Sequence, residues 1–189
     1  MIISLSGAPG SGKSTIAKML SAELAWPRYY IGGLRREAAL KRGLTLAEYN
    51  KLGETDPATD KEVDEYQREL GQKEDNFVIE GRTSWYLIPH SLKIYLDVSL
   101  EEGARRIFGS LQKSNDRNEG NNLNSVEAVV ESNKKRIASD NARYRKYYDI
   151  DVYDFKNYDF YLDTTNLTPD EVFQSVYSFV KNNLDNRKN

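Results

Sequence analysis

Positions 7–15 read Gly-Ala-Pro-Gly-Ser-Gly-Lys-Ser-Thr, and Gly7, Gly12, Lys13 and Ser14 satisfy the spacing G-x-x-x-x-G-K-[ST] of a phosphate-binding loop. Residues of these types at this spacing can wrap a polyphosphate in backbone N–H groups. The helix that follows would present its N-terminus to the same charge. Lys13 is placed to reach the β and γ phosphates, and the Ser14 hydroxyl to ligate Mg2+. The whole run (Gly7, Ala8, Pro9, Gly10, Ser11, Gly12, Lys13, Ser14 and Thr15) is therefore a candidate site for ATP. A dinucleotide fingerprint is excluded, because from Gly10 its third glycine would fall at Thr15.

A phosphate loop alone does not separate a kinase from a switch or a motor. The Asn-Lys-x-Asp element of guanine-nucleotide switches is not matched, since Asn133-Lys134 continues as Lys135-Arg136. A small kinase needs cations at the carboxyl edge of its sheet to hold a second anion, and a means of keeping water out. Glu80-Gly81-Arg82 follows a strand candidate directly, which places Arg82 at that edge, and Arg35-Arg36 falls in a helix on the same side. Arg136, Asp140 and Arg143, spaced i, i+4, i+7, share one helix face. The apolar stripe Val130, Ile137, Tyr144 beside that face predicts a position at the core margin; a surface ion-pair ladder is the competing reading. The polar stretch 112–124, carrying Arg117, sits where a lid would, or is plain disorder. His90 and Trp85-Tyr86 read as structural.

The elements that must position these groups are legible in outline. Strand candidates are residues 1–6, 29–31, 76–79, 92–96 and 159–162, separated by helical stretches, which predicts a five-stranded parallel sheet with helices on both faces. Thr45 with Glu48, Ser99 with Glu102, and Thr168 with Glu171 each have capping-box spacing. Asp56-Pro57 opens another helix, with an expected buried stripe of Val63, Tyr66, Gln67 and Leu70. The length of 189 residues fits one domain spanning 1–189, with acceptor-binding helices at about 32–74 and a lid at about 106–145.

Composition narrows the class. A net charge of −2 argues against nucleic acid as the partner, and the absence of cysteine removes disulfides and thiolate zinc sites. Neither a signal peptide nor an 18-residue apolar run is seen, so no membrane association is expected. A cytoplasmic enzyme acting on a small molecule, with no obligatory protein partner, is the expectation.

The chain resembles the cytidylate kinases, in the short form found in archaea and some bacteria, from Ile2 to about Phe179. The residues that carry the resemblance are Ile79-Glu80-Gly81-Arg82, the Arg136/Asp140/Arg143 pattern, and Tyr144 through Tyr148-Asp149-Ile150-Asp151. Asp56-Pro57-Ala58-Thr59-Asp60 matches a further element. The order Thr83-Ser84-Trp85-Tyr86 and an Asn-rich lid stretch depart from the family pattern. The resemblance implies that Arg36 and Arg82 clasp the acceptor monophosphate. It also implies that Arg136, Asp140 and Arg143 contact the pyrimidine nucleotide, and that Thr164, Thr165 and Asn166 lie beside the donor adenine. Arg106 and Arg117 are then the lid arginines, and Lys13, Arg82, Arg136 and Arg143 the catalytic cations.

The expected reaction is transfer of the γ-phosphoryl group of Mg-ATP to CMP or dCMP. A phosphate acceptor needs no general base, because its second pKa is near 6. After the second strand candidate no acid occurs until Glu37, which favours a phosphate acceptor over a hydroxyl. The alternatives are a kinase for UMP, AMP, dephospho-coenzyme A or shikimate, or a non-catalytic ATP-binding regulator.

Overall fold

The computed structural model describes residues 1–112 and 123–186. The central strand β1 (Ile2–Gly7) is buried along its whole length, as an all-apolar or small run flanked by two neighbours must be. Beside it lie β3 (Phe77–Glu80) and β4 (Leu92–Asp97), with β2 (Arg28–Tyr30) and β5 (Phe160–Asp163) at the edges. The order is β2-β3-β1-β4-β5 and every pairing is parallel. The five-stranded parallel sheet expected from the alternation of strands and helices is thus present.

Successive side chains of a strand point to opposite faces, and each face of this sheet has its own helices. Ile3 and Leu5 join Ile16, Leu20, Val176 and Val180, from α1 (Lys13–Leu24) and α8 (Pro169–Asn186). Ile2, Phe77 and Ile79 point the other way. They meet Ile31 of α2 (Ile31–Lys41), Leu70 of α4 (Ala58–Lys73) and Ile88, which follows α5 (Ser84–Leu87). A third cluster, Ala104, Ile107 and Val129, joins α6 (Leu100–Leu111) to α7 (Val126–Tyr148). The remaining helix, α3 (Leu46–Gly53), packs between α2 and α7.

Strand boundaries shift by one residue from those expected. Ile31 opens α2 instead of closing β2, and Glu80 and Asp163 extend β3 and β5. Thr45–Glu48 and Thr168–Glu171 form reciprocal capping boxes. At Ser99 only half forms: its hydroxyl accepts from the Glu102 N–H, while the Glu102 carboxylate turns to Arg105 and Arg106. On α4, Tyr66 is exposed at the rim, edge-on to Tyr29, and the buried row includes Thr59, Asp60 and Asp64. An apolar-periodicity reading passes over buried acids, and these two are held by partners distant in sequence.

Candidate active site

β1 passes its chain to β2 beyond β3, whereas β4 passes its chain to β5 on the other side. Open parallel sheets bind ligands at the carboxyl edge where connections diverge in this way. Residues 7–13 lie at that edge. Gly10 and Gly12 have φ values of 83° and 86°, a region that side chains disfavour. Gly10 also lies directly against the backbone of Gly103 in α6, where a Cβ on either residue would collide with the other segment.

Lys13 Nζ donates to the carbonyls of Gly7 at 3.0 Å and Ala8 at 2.7 Å, so the ammonium lies over the loop. Ser14 Oγ donates to Glu80 Oε2 at 2.6 Å, and the other Glu80 oxygen pairs with Arg28. The sequence alone assigns Glu80 no role. Its place at the end of β3, next to β1, was the available signal.

A cleft of about 490 Å³ runs along the loop from Gly10 to Ile16 and includes Arg106, Leu167 and Pro169. Arg106 is tied to the Thr164 carbonyl at 2.7 Å and the Thr165 carbonyl at 3.2 Å, clamping α6 to the segment after β5. Thr164 is buried and donates to the Asp97 carbonyl; the Thr165 hydroxyl accepts from the Ser99 N–H and donates to Asp163. Thr165 and Asn166 do not line this cleft; Leu167 beside them does. Both threonine hydroxyls hold the loop together.

A second cavity, of about 100 Å³, begins on the opposite side of Lys13 and Ser14. Arg36 from α2, Arg82 after β3 and Arg136 from α7 all line it. The structure therefore brings together, beside the phosphate loop, three arginines from three separate segments. Through Leu46, Ile107 and Arg136 this cavity meets a larger one of about 670 Å³ between α3 and α7.

Asp140 and Arg143 correct the sequence-based expectation. They lie inside the protein, not at the core margin, and neither lines the cavity. Arg143 is fully buried and donates to both oxygens of Asp60, at 2.6 and 2.8 Å, and to Asp140 at 2.6 Å. Asp140 in turn pairs with Arg82 at 2.6 Å and accepts from the Tyr153 hydroxyl at 2.8 Å, and Arg35 pairs with Asp60. The result is an alternating chain, Arg35–Asp60–Arg143–Asp140–Arg82, whose two end arginines reach the cavity. The reason is the acid on α4, which the spacing within α7 could not reveal. Burial alone would raise the Asp140 pKa; Arg82, Arg143 and Arg136 outweigh it and hold the carboxyl below its ordinary range. Arg117 lies outside the described residues.

Asp64 behaves in the opposite way. Burial pushes its pKa up to about 6, against hydrogen bonds from Tyr148 and Thr83. A carboxyl with a raised folded-state pKa costs stability where it is ionised, and that cost disappears as pH falls through 6 towards the unfolded value. The stability of Asp64→Asn relative to the parent is therefore expected to be about 2 kcal/mol higher at pH 7.5 than at pH 4.5. Urea midpoints of both proteins at the two pH values check this; a pH-independent difference would contradict it.

A phosphate loop at the diverging edge of a parallel sheet, faced by an arginine-lined cavity, defines a small P-loop kinase. Residues 2–166 match the model of the cytidylate kinase-like family, and the chain belongs to that family. It is 38% identical over 182 residues to the cytidylate kinase of Natronomonas pharaonis, covering 95% of this chain and 89% of the relative. To the cytidylate kinase of Methanospirillum hungatei it is 36% identical, covering 96% and 97%. Among solved structures, the shikimate kinase of Bacteroides thetaiotaomicron superposes with a TM-score of 0.61 at 13% identity, covering 96% of this chain and 98% of that one. That likeness is one of fold. No helix among the described residues is long and apolar enough to cross a membrane.

Proposed function

We propose that this protein transfers the γ-phosphoryl group of ATP to the phosphate of CMP or dCMP, in the cytoplasm. The observation that carries the reading is the convergence of Arg36, Arg82 and Arg136 on a cavity that also includes Lys13 and Ser14. Two crowded polyanions need several cations between them, and a loose phosphoryl-transfer transition state needs positioning more than covalent help. The cleft along residues 10–16 takes the donor, with Lys13 turning from its carbonyl partners to the β and γ phosphates. Arg36 and Arg82 hold the acceptor phosphate, and Arg136 screens the charge that develops between the two. Asp140 and Arg143 are positioning residues: through their ion pairs they fix the direction of Arg82.

The Ser14 hydroxyl and Glu80 carboxylate, 2.6 Å apart, are the hard oxygen donors that Mg2+ prefers, so these residues fit the ion. Bound there, Mg2+ would supply neutralisation of charge on the donor phosphates. Arg28 offsets the charge of Glu80 and keeps its carboxylate facing Ser14.

A coupled assay supplying ATP with CMP, dCMP, UMP, AMP, dephospho-coenzyme A or shikimate tests the proposal. Turnover highest with CMP or dCMP is expected; no ADP with any acceptor would instead identify a nucleotide-binding regulator. Arg82→Ala is expected to raise the acceptor KM by about 10- to 100-fold and leave the ATP KM within about threefold, since it removes a charge-assisted contact to one substrate only. A fall in ATP affinity would show that Arg82 serves the donor.

A further inference from the structure

The absence of an acid shortly after β2 does not keep acids out of the acceptor cavity. Asp60 and Asp64 enter it from α4, and Glu80 from β3. Two of the three have cation partners: Asp60 is gripped by Arg143 and Arg35, and Glu80 by Arg28. Among the described residues Asp64 has no such ion pair, yet it is 3% exposed. From this asymmetry we propose that the Asp64 carboxylate accepts a hydrogen bond from the exocyclic amino group of the acceptor's cytosine ring, and so separates CMP from UMP. The proposal rests on the phosphate-acceptor reading above.

The hydrogen-bond inventory supports it. A carboxylate offers about four acceptor positions. Asp64 Oδ1 accepts from Gln67 Nε2 and Thr83 Oγ1, each at 3.2 Å, and Oδ2 accepts from the Tyr148 hydroxyl. One position on Oδ2 is left over. The group is also fixed in place, because Gln67 is fully buried and its own carbonyl accepts from Ser84 at 2.7 Å. Around it the cavity has apolar walls from Ile31, Val63 and Tyr144, which suit a flat ring.

Cytosine carries an amino donor at the position where uracil carries a carbonyl oxygen, and aspartate accepts from the former. Uracil would set one acceptor against another in a buried place, with neither satisfied. Arg82, Thr83 and Asp64 line one cavity, so a nucleotide held there by its phosphate at Arg82 shares that space with the group that Thr83 supports.

The test compares the parent protein and Asp64→Asn on CMP and UMP. It also compares the parent on CMP and on the 2-pyrimidinone ribonucleotide, which is CMP without its amino group. Asp64→Asn is expected to lower the CMP-to-UMP ratio of kcat/KM by about 100-fold, and the parent to lose a similar factor on the amino-less analogue. The variant should use CMP and the analogue alike. The analogue comparison on the parent does not depend on the variant folding, and an unchanged ATP KM in the variant reports an intact donor side. Equal turnover of CMP and the analogue by the parent overturns the inference. So does an equal loss of CMP and UMP in the variant, the mark of a sugar contact or a general base. If the parent phosphorylates neither pyrimidine nucleotide, both this inference and the CMP or dCMP reading are overturned together.

Discussion

Lys13→Ala is expected to lower kcat by at least about 1,000-fold while leaving the fold intact. The size follows from what the ammonium does along the reaction. Charge shifts onto the bridging and γ oxygens, in a cleft walled by protein, where a cation is worth more than in water. The loop backbone would still bind the donor, so ATP affinity should fall far less than kcat. Local damage is limited because Lys13 is only half-buried, and solvent entering the space it leaves can hydrogen-bond the Gly7 and Ala8 carbonyls in its stead. Initial rates with CMP, together with the thermal midpoint, check both halves. Turnover within about tenfold of the parent would remove Lys13 from the reaction.

Arg143→Met carries the largest expected effect on stability, about 3–5 kcal/mol. The side chain is fully buried and bridges Asp60 on α4 to Asp140 on α7, so its loss strips one cation from each of two buried carboxylates. Arg35 and Arg82 remain, which places the expectation in that range and not above it. For a chain of 189 residues the loss corresponds to roughly 10 °C in the thermal midpoint. Arg143→Lys should recover little, since a point charge cannot span two carboxylates as a planar fork does. Arg82 would lose a stiff support, so the acceptor KM should rise in Arg143→Met at temperatures where it is still folded. A loss of stability below about 1 kcal/mol would mean that the network contributes little beyond compensating its own desolvation.

What could be read from the chain divides by distance along it. The phosphate loop, the strands and two of the capping boxes are local patterns, and each appears where local chemistry puts it. Arg82 was placeable because it follows a buried strand by two residues. The alternating ion chain was not. Asp60 and Arg143 are 83 positions apart, and the stripe expected on α4 includes no acid. Helical spacing groups Arg136 with Asp140 and Arg143, yet the structure separates them, the first into the cavity and the other two behind it. Spacing states which residues share a face, and leaves open what that face meets. Asp64 escaped notice for the same reason: its interest comes from Thr83 and Tyr148, on two other elements. At Ser99, arginines one turn on competed successfully for the glutamate that the box required.

The contact of Gly10 with Gly103 limits how this protein can vary. Where two bulky residues meet, a gain of volume on one side can be offset by a loss on the other. Here both partners already have the smallest side chain available, so no second change can make room for the first. An alanine at either position could be accommodated only by shifting the first turns of α6, which carry Ser99 and Glu102, away from the nucleotide loop. Drift at these two sites is therefore blocked singly and jointly, and a homologue lacking either glycine should differ in backbone course, not merely in side chains.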